Sequence, residues 1–161
     1  MDVAILESAE GPVGLAWGPA GFRSVAFLEG AAPTGLPGGA PAWVRTGAQA
    51  LLAFLAGAGP CPTDLPVDLS GHTPFQRSLA EALRATGPGE RLSYGLLARL
   101  AGRPGAARAV GRAVARNPLL ILVPCHRVVS ATGEGGWSAF GSPDRLRRLR
   151  DLEREPGDTG A

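Results

Sequence analysis

Lysine is absent from this chain of 161 residues, and all sixteen basic residues are arginines. Cysteine is almost absent too, with only Cys61 and Cys125, and there are two histidines, one tyrosine and one methionine. Two cysteines cannot build the disulfide framework on which small secreted domains rely, so a reducing, cytoplasmic setting is expected. No apolar run approaches the roughly 20 residues needed to cross a bilayer. The N-terminal stretch MDVAILESAEG is acidic and lacks the basic flank of a signal peptide. Secretion and membrane spanning are therefore excluded as readings. Glycine (24) and proline (15) together make up about a quarter of the chain, yet the glycines follow no triplet period, which excludes a collagen-like chain. What is present is a 45% apolar composition, enough to bury a core in one domain or two very small ones.

The net charge of +2 hides a strong asymmetry. Residues 1–70 set two arginines against six acids, a net −4, whereas residues 71–161 set fourteen against eight, a net +6. A split of that kind points the second part toward a polyanion. The densest stretch, 99–116, holds Arg99, Arg103, Arg108, Arg112 and Arg116 and no acid. A later cluster, Arg145, Arg147, Arg148 and Arg150, is interleaved with Asp144, Asp151 and Glu153 and reads as an exposed helix with internal ion pairs.

Turn signals divide the first thirty residues into short apolar runs, Val3–Leu6, Val13–Trp17 and Val25–Leu28, the pattern of a β-meander or hairpin. From Pro41 to Ala56 the apolar residues recur at helical spacing, with Gly57 just past the end. Residues 57–71 (GAGPCPTDLPVDLSG) read as an extended linker, and the domain boundary is placed there: 1–70 and 71–161. The second part is helical. Thr73 caps a helix with Pro74 at its first position, Ser93 caps another, and Gly102-Arg103-Pro104-Gly105 separates that one from a third over 106–116. Two short helices joined by such a turn form a helix-turn-helix pattern. The third helix is built on Ala106, Ala107, Ala109, Gly111, Ala113 and Ala115, small residues that let a backbone come close to a partner.

Beyond Asn117-Pro118 lies Leu119–Val123, a wholly apolar run read as a buried extended segment. It delivers Pro124-Cys125-His126-Arg127 from the core, a thiol beside an imidazole and a guanidinium, which is a candidate activated nucleophile. A free thiol is only about 3% thiolate at pH 7, so a base or positive neighbours must activate it. In an extended chain adjacent side chains point to opposite sides, so His126 needs a backbone turn or a bridging water to act on Cys125. On its own a Cys-His pair also fits a buried spectator thiol next to a satisfied core histidine.

Four pieces of the chain, TPFQ (73–76), GERLSYGLLA (89–98), ARAVGRAVARNP (107–118) and ILVPCHRVV (121–129), resemble the active-site domain of the O6-alkylguanine-DNA alkyltransferases. They occur in that family's order and at its spacing, and the PCHRV block is specific to it and to its alkyltransferase-like relatives. The resemblance implies an α+β fold: a small N-terminal lobe of RNase H-like character, then a mostly helical domain containing a helix-turn-helix. It implies a single-turnover DNA repair reaction in which an O6-alkylated guanine is flipped out of duplex DNA and its alkyl group moves irreversibly to Cys125. It implies Glu153–His126–water–Cys125 as the activating chain, with Glu155 as the competing carboxylate. Asn117 would tie the recognition helix to the active-site loop, and Tyr94 would act at a phosphate and near the leaving guanine. Arg108 would fill the hole left by the flipped base, while Ala107, Ala109, Gly111, Arg112 and Arg116 would face the minor groove. Val128, Trp137, Ser138 and Ala139 would line the alkyl and base pocket, and Arg127 would organise the loop or the contact between the lobes.

The chain departs from the family's pattern in two places. Trp137 stands where the family has a tyrosine after the cysteine, and the C-terminal helix lacks the usual Lys and Leu-Leu pattern. Two cysteines and two histidines are too few for the structural zinc site of some members, so no metal and no cofactor is expected. The expected partner is double-stranded DNA carrying O6-alkylguanine, bound by a monomer. The alternative is a damage-recognition protein that flips the lesion without transfer. A third reading, a Cys-His hydrolase or transferase acting on a small metabolite, would not call on the basic second part.

Overall fold

A computed structural model describes residues 1–130 and 140–154. The chain folds as two compact units: Met1–Leu69 with Pro118–Leu122, and Ser70–Asn117 with Val123–Ala161. The five residues 118–122, expected with the second part, pack instead with the first. Among the described residues no helix is long and apolar enough to cross a membrane.

The first unit is the expected meander with one helix. Strands β1 (Asp2–Ser8), β2 (Gly11–Gly18) and β3 (Gly21–Phe27) form an antiparallel sheet in the order β1-β2-β3. Alternation puts Ala4, Leu6, Val13, Leu15, Trp17 and Val25 in the core. Helix α1 (Ala42–Leu55) adds Val44, Ala48, Leu51, Phe54 and Leu55. Each such aliphatic or aromatic side chain contributes roughly 1.5–3 kcal/mol on burial.

The stretch 57–71 is not a free linker. Phe22 N donates to Pro66 O at 2.9 Å and Asp68 N to Phe22 O at 2.8 Å, making a parallel bridge of Phe22 with Val67 along the outer edge of β3. Gly21 permits this approach: at φ 145° its backbone lies so near that a Cβ would meet the Pro66 backbone at 2.8 Å. Farther along the same edge, Val25 bridges Leu119. This second bridge is why residues 118–122 belong to the first unit.

That bridge also breaks the extended segment expected over Leu119–Val123. Leu122 N donates to Leu120 O at 2.8 Å around Ile121, whose φ is 74°. Together they describe a γ-turn of the rarer, strained kind, at a β-branched residue that seldom adopts positive φ. Such a conformation costs of order 1–3 kcal/mol and persists only where the surroundings enforce it; Ile121 is completely buried. Three residues on, Cys125 N donates to Val123 O at 2.7 Å around Pro124 (φ −77°, ψ 65°), an inverse γ-turn.

The second unit is helical, as its capping signals predict. Thr73 and Gln76 form a reciprocal capping box at the start of α2 (Pro74–Arg84). Ser93 Oγ accepts from Leu96 N at 3.0 Å to start α3 (Tyr94–Leu100). Helix α4 (Ala107–Ala115) follows after a short turn and buries only Val110 and Val114, one turn apart. A 3-10 turn, Cys125–Arg127, leads into β5 (Val128–Val129), which pairs in parallel with β4 (Leu92–Ser93). Helix α5 (Pro143–Leu152) closes the described chain, with Glu153 as its C-cap.

Candidate active site

The backbone turns where the sequence suggested an extended chain. In the 3-10 turn Cys125–Arg127 successive side chains fan out in different directions, and all three are buried. Cys125 Sγ receives a hydrogen bond from Asn117 Nδ2 at 3.2 Å, and the same amide nitrogen donates to Val123 O at 3.0 Å. Asn117 follows directly on the end of α4, so it fastens that helix terminus to the segment carrying the thiol. His126 Nε2 is hydrogen-bonded to Glu153 Oε1.

Arg127 completes the cluster. Its Nε lies 3.1 Å from both Glu153 oxygens, and its Nη2 pairs with Glu153 Oε2. Its Nη1 donates to Thr86 O and Thr86 Oγ1, both at 2.8 Å. A guanidinium only 1% exposed is tolerated because a carboxylate and two oxygens satisfy it. The sequence assigns Arg127 a loop-organising role; its full burial against Glu153 goes beyond that expectation. The one available signal was its position next to His126 at the end of an apolar run.

The electrostatics follow from burial. Burial pushes the Cys125 thiol up to about 11, against the lowering effect of the Asn117 hydrogen bond. Burial also lowers His126, and it outweighs the raising effect of Glu153; the Arg127 charge lowers His126 further. Burial alone would raise Glu153, but the His126 and Arg127 hydrogen bonds bring it down to about 2. At neutral pH the cluster therefore holds a thiol, a neutral imidazole and a carboxylate. Within this unit, His126 and Glu153 bind each other and Arg127 already supplies a cation at both carboxylate oxygens, the place a metal ion would need.

Tyr94, the first residue of α3, is half-buried, and its phenol is raised by burial. Charges on Arg150 and Cys125 also act on it. Its ring lies against α4, with Cε1 3.8 Å from where a Cβ on Gly111 would stand. An alanine at 111 would thus fit within the folded chain without displacing Tyr94.

On α4, Arg108 and Arg112 are exposed, as is Arg116 at its C-cap, whereas Ala107, Ala109 and Gly111 are partly covered. The arginines are spaced four apart and share one face. Arg103 differs from them: its guanidinium sits 4.7 Å over the Phe75 ring. Val128 is buried beside the turn. Trp137, Ser138, Ala139 and Glu155 lie outside the described residues. Cys61 is buried and in no disulfide, and its Sγ donates to Ile121 O at 3.5 Å.

Comparison with known proteins gives concordant results. Residues 74–155 match the family model described as 6-O-methylguanine DNA methyltransferase, DNA binding domain. A methylated-DNA–protein-cysteine methyltransferase of Methanosarcina acetivorans is 39% identical over 141 residues, covering 83% of this chain and 86% of that protein. A crystal structure of the Mycobacterium tuberculosis O6-methylguanine methyltransferase superposes with a TM-score of 0.78 at 36% identity, covering 98% of this chain and 97% of the other. The M. tuberculosis protein crystallised in complex with DNA gives the same score and identity, over 94% of this chain and 91% of the other.

Proposed function

The chain belongs to the 6-O-methylguanine DNA methyltransferase family, and from that premise we propose that it repairs O6-alkylguanine in duplex DNA by taking the alkyl group onto Cys125. The protein is a methyltransferase that acts once. The observation that carries the assignment of the acceptor is the buried Cys125 thiol in the same turn as a neutral histidine held by an ionised carboxylate.

The reaction is a displacement at carbon. The Cys125 sulfur attacks the alkyl carbon; a C–S bond forms as the bond from that carbon to guanine O6 breaks, and the electron pair leaves with the guanine. A thiol held near pKa 11 is ionised in only about one molecule in ten thousand at pH 7. Proton removal must therefore accompany attack. With Nε2 donating to Glu153, neutral His126 carries its lone pair on Nδ1, the atom to receive the thiol proton directly or through a water. Burial, with the Arg127 charge beside Glu153, keeps His126 neutral and ready to act as the base. The Tyr94 phenol keeps its proton at neutral pH and serves as a donor at the leaving guanine or the adjacent phosphate. The proton balance closes when guanine, restored to its keto form, takes back one proton.

A stacked base cannot present its O6 substituent to a buried sulfur, so the base must be flipped. In this reading α3, its turn and α4 act as the helix-turn-helix, α4 enters the minor groove, and Arg108 occupies the space the base vacates. Arg112 and Arg116 neutralise phosphates, and Ala107, Ala109 and Gly111 allow close approach. Val128 borders the alkyl pocket. Residues 70–117 and 123–161 carry binding and chemistry, and residues 1–69 with 118–122 form the RNase H-like lobe. The protein works as a cytoplasmic monomer.

The test is protein mass after incubation with duplex DNA containing O6-methylguanine, with Cys125→Ser as control. The wild type gains one methyl on the peptide carrying Cys125. The serine variant gains none but still binds DNA in a salt-sensitive way, because binding rests on phosphate contacts. Lesion-dependent binding by the wild type with no gain in mass would instead assign it to damage recognition without transfer.

A further inference from the structure

Helix α5 reads as an exposed, ion-paired helix, and much of it is one: Arg147 pairs with Asp144, and Arg154 with Asp151 at 3.3 Å. Arg150 is different. Its Nε donates to the carbonyl of His126 at 2.8 Å, and its Nη2 to the carbonyl of Val128 at 2.9 Å. Those carbonyls flank Arg127, the last residue of the 3-10 turn. A planar guanidinium spanning two carbonyls fixes both distance and orientation, which a single-point ammonium does not.

The end of α5 thus grips the segment 126–128 twice. Glu153 holds the side chains of His126 and Arg127, and Arg150 holds the backbone. The two grips respond differently to chemistry. When His126 takes a proton its bond to Glu153 changes character, whereas the carbonyls held by Arg150 do not titrate. Val128 also pairs with Leu92 in the parallel β4·β5 ladder, and Ser93, next to Leu92, caps the helix that begins with Tyr94. Arg150 therefore anchors a strand whose partner leads directly to Tyr94, and its charge acts on the Tyr94 phenol.

We propose that Arg150 is a positioning residue for alkyl transfer, clamping the His126 and Val128 carbonyls so that Cys125, His126 and Tyr94 keep their register while the proton moves. The proposal rests on the reading of Cys125 as alkyl acceptor. Arg150 lies on α5 and not on α4, which carries the arginines assigned to DNA, so the effect of its loss falls on the limiting rate.

The experiment is single-turnover transfer from an O6-methylguanine duplex at several protein concentrations, for wild type, Arg150→Lys and Arg150→Met. Loss of positioning by a fraction of an ångström costs about tenfold or more in rate. The Met variant is expected to lose that much in limiting rate with its half-saturating concentration unchanged. The Lys variant, able to hold one carbonyl at a time, is expected to fall between the two. Equal limiting rates in all three proteins, or a shift in half-saturation alone, would overturn the proposal. Should Arg150→Met fail to fold, an unchanged limiting rate in Arg150→Lys overturns it equally. A wild type that transfers no methyl removes the acceptor reading and the proposal together, an outcome distinct from a wild type that transfers and variants that match it.

Discussion

The α4 helix and the Cys125–Arg127 turn lie in one unit and are built on opposite principles. Helix α4 commits only Val110 and Val114 to the core and leaves Arg108 and Arg112 in solvent. The turn buries a thiol, an imidazole, a guanidinium and, through Glu153, a carboxylate. Exposed arginines are cheap to keep and weakly specific, which suits a polyanion met by charge and shape. Buried polar groups are costly unless each is matched, and matching them fixes protonation states. Asn117 joins the two, standing just past the end of α4 with its amide on the Cys125 sulfur. The two are thus separate in their energetics, and the Asn117 side chain links them.

The largest effect should come from breaking the buried cluster. Replacing Glu153 by Gln leaves Arg127 buried without its counter-charge, a defect that costs about 3–5 kcal/mol. It also removes the partner that orients His126, and loss of positioned acid-base catalysis slows reactions by roughly 10²–10⁴-fold. Thermal unfolding and single-turnover transfer on the same variant check both. An equivalent change on the exposed side of the comparison, Arg112→Ala, should leave unfolding within about 0.5 kcal/mol of wild type.

A smaller effect separates the two regions by pH. Glu153 and His126 are both lowered by the fold. Each favours the folded state fully above its unfolded value, 4.5 and 6.5 respectively, and the benefit is lost as pH falls toward the folded one. Cys125 is raised from 9.0 to about 11, so its contribution is complete below 9.0 and disappears as pH climbs toward 11. Stability should therefore peak between about pH 7 and 9, losing up to about 3 kcal/mol on the alkaline side through Cys125. Denaturant unfolding across pH measures this: Cys125→Ser should reduce the alkaline limb, to which the raised Tyr94 phenol also contributes, and leave the acid limb unchanged.

The smallest effect lies at Gly111. A methyl there meets Tyr94 only at ordinary contact distance, and alanine is favoured over glycine inside a helix by roughly 1 kcal/mol. Gly111→Ala should raise the melting temperature of the free protein while weakening its binding to duplex DNA. Unchanged binding would release Gly111 from the interface.

The same contrast governs what could be read from the amino acids. Thr73, Pro74 and Ser93 announce their helices because capping is local chemistry, decided within four residues. Arg108, Arg112 and Arg116 are legible because a four-residue spacing without acids has a direct geometric meaning. The bend at Ile121 was not legible: five consecutive apolar residues carry no period, and the turn is imposed by the bridge from Val25, almost a hundred positions away in the chain. Arg150 is read from its type, as an exposed helix charge, and Arg127 from the resemblance, as an organising residue; the inward placement of both depends on Glu153 and on backbone carbonyls that no local pattern reveals. Glu153 came from resemblance alone; nothing in its neighbourhood distinguishes it from a solvated helix-end acid.

The most direct test of this division sets two variants against two substrates. Single-turnover transfer is measured for Arg108→Ala and Glu153→Gln, each with O6-methylguanine in duplex DNA and with a free O6-alkylguanine base. The account predicts that Arg108→Ala is slowed far more on the duplex than on the free base, and that Glu153→Gln is slowed alike on both. Equal losses for Arg108→Ala on the two substrates would contradict it, because α4 would then be acting on the chemistry and not on the extrusion of the base.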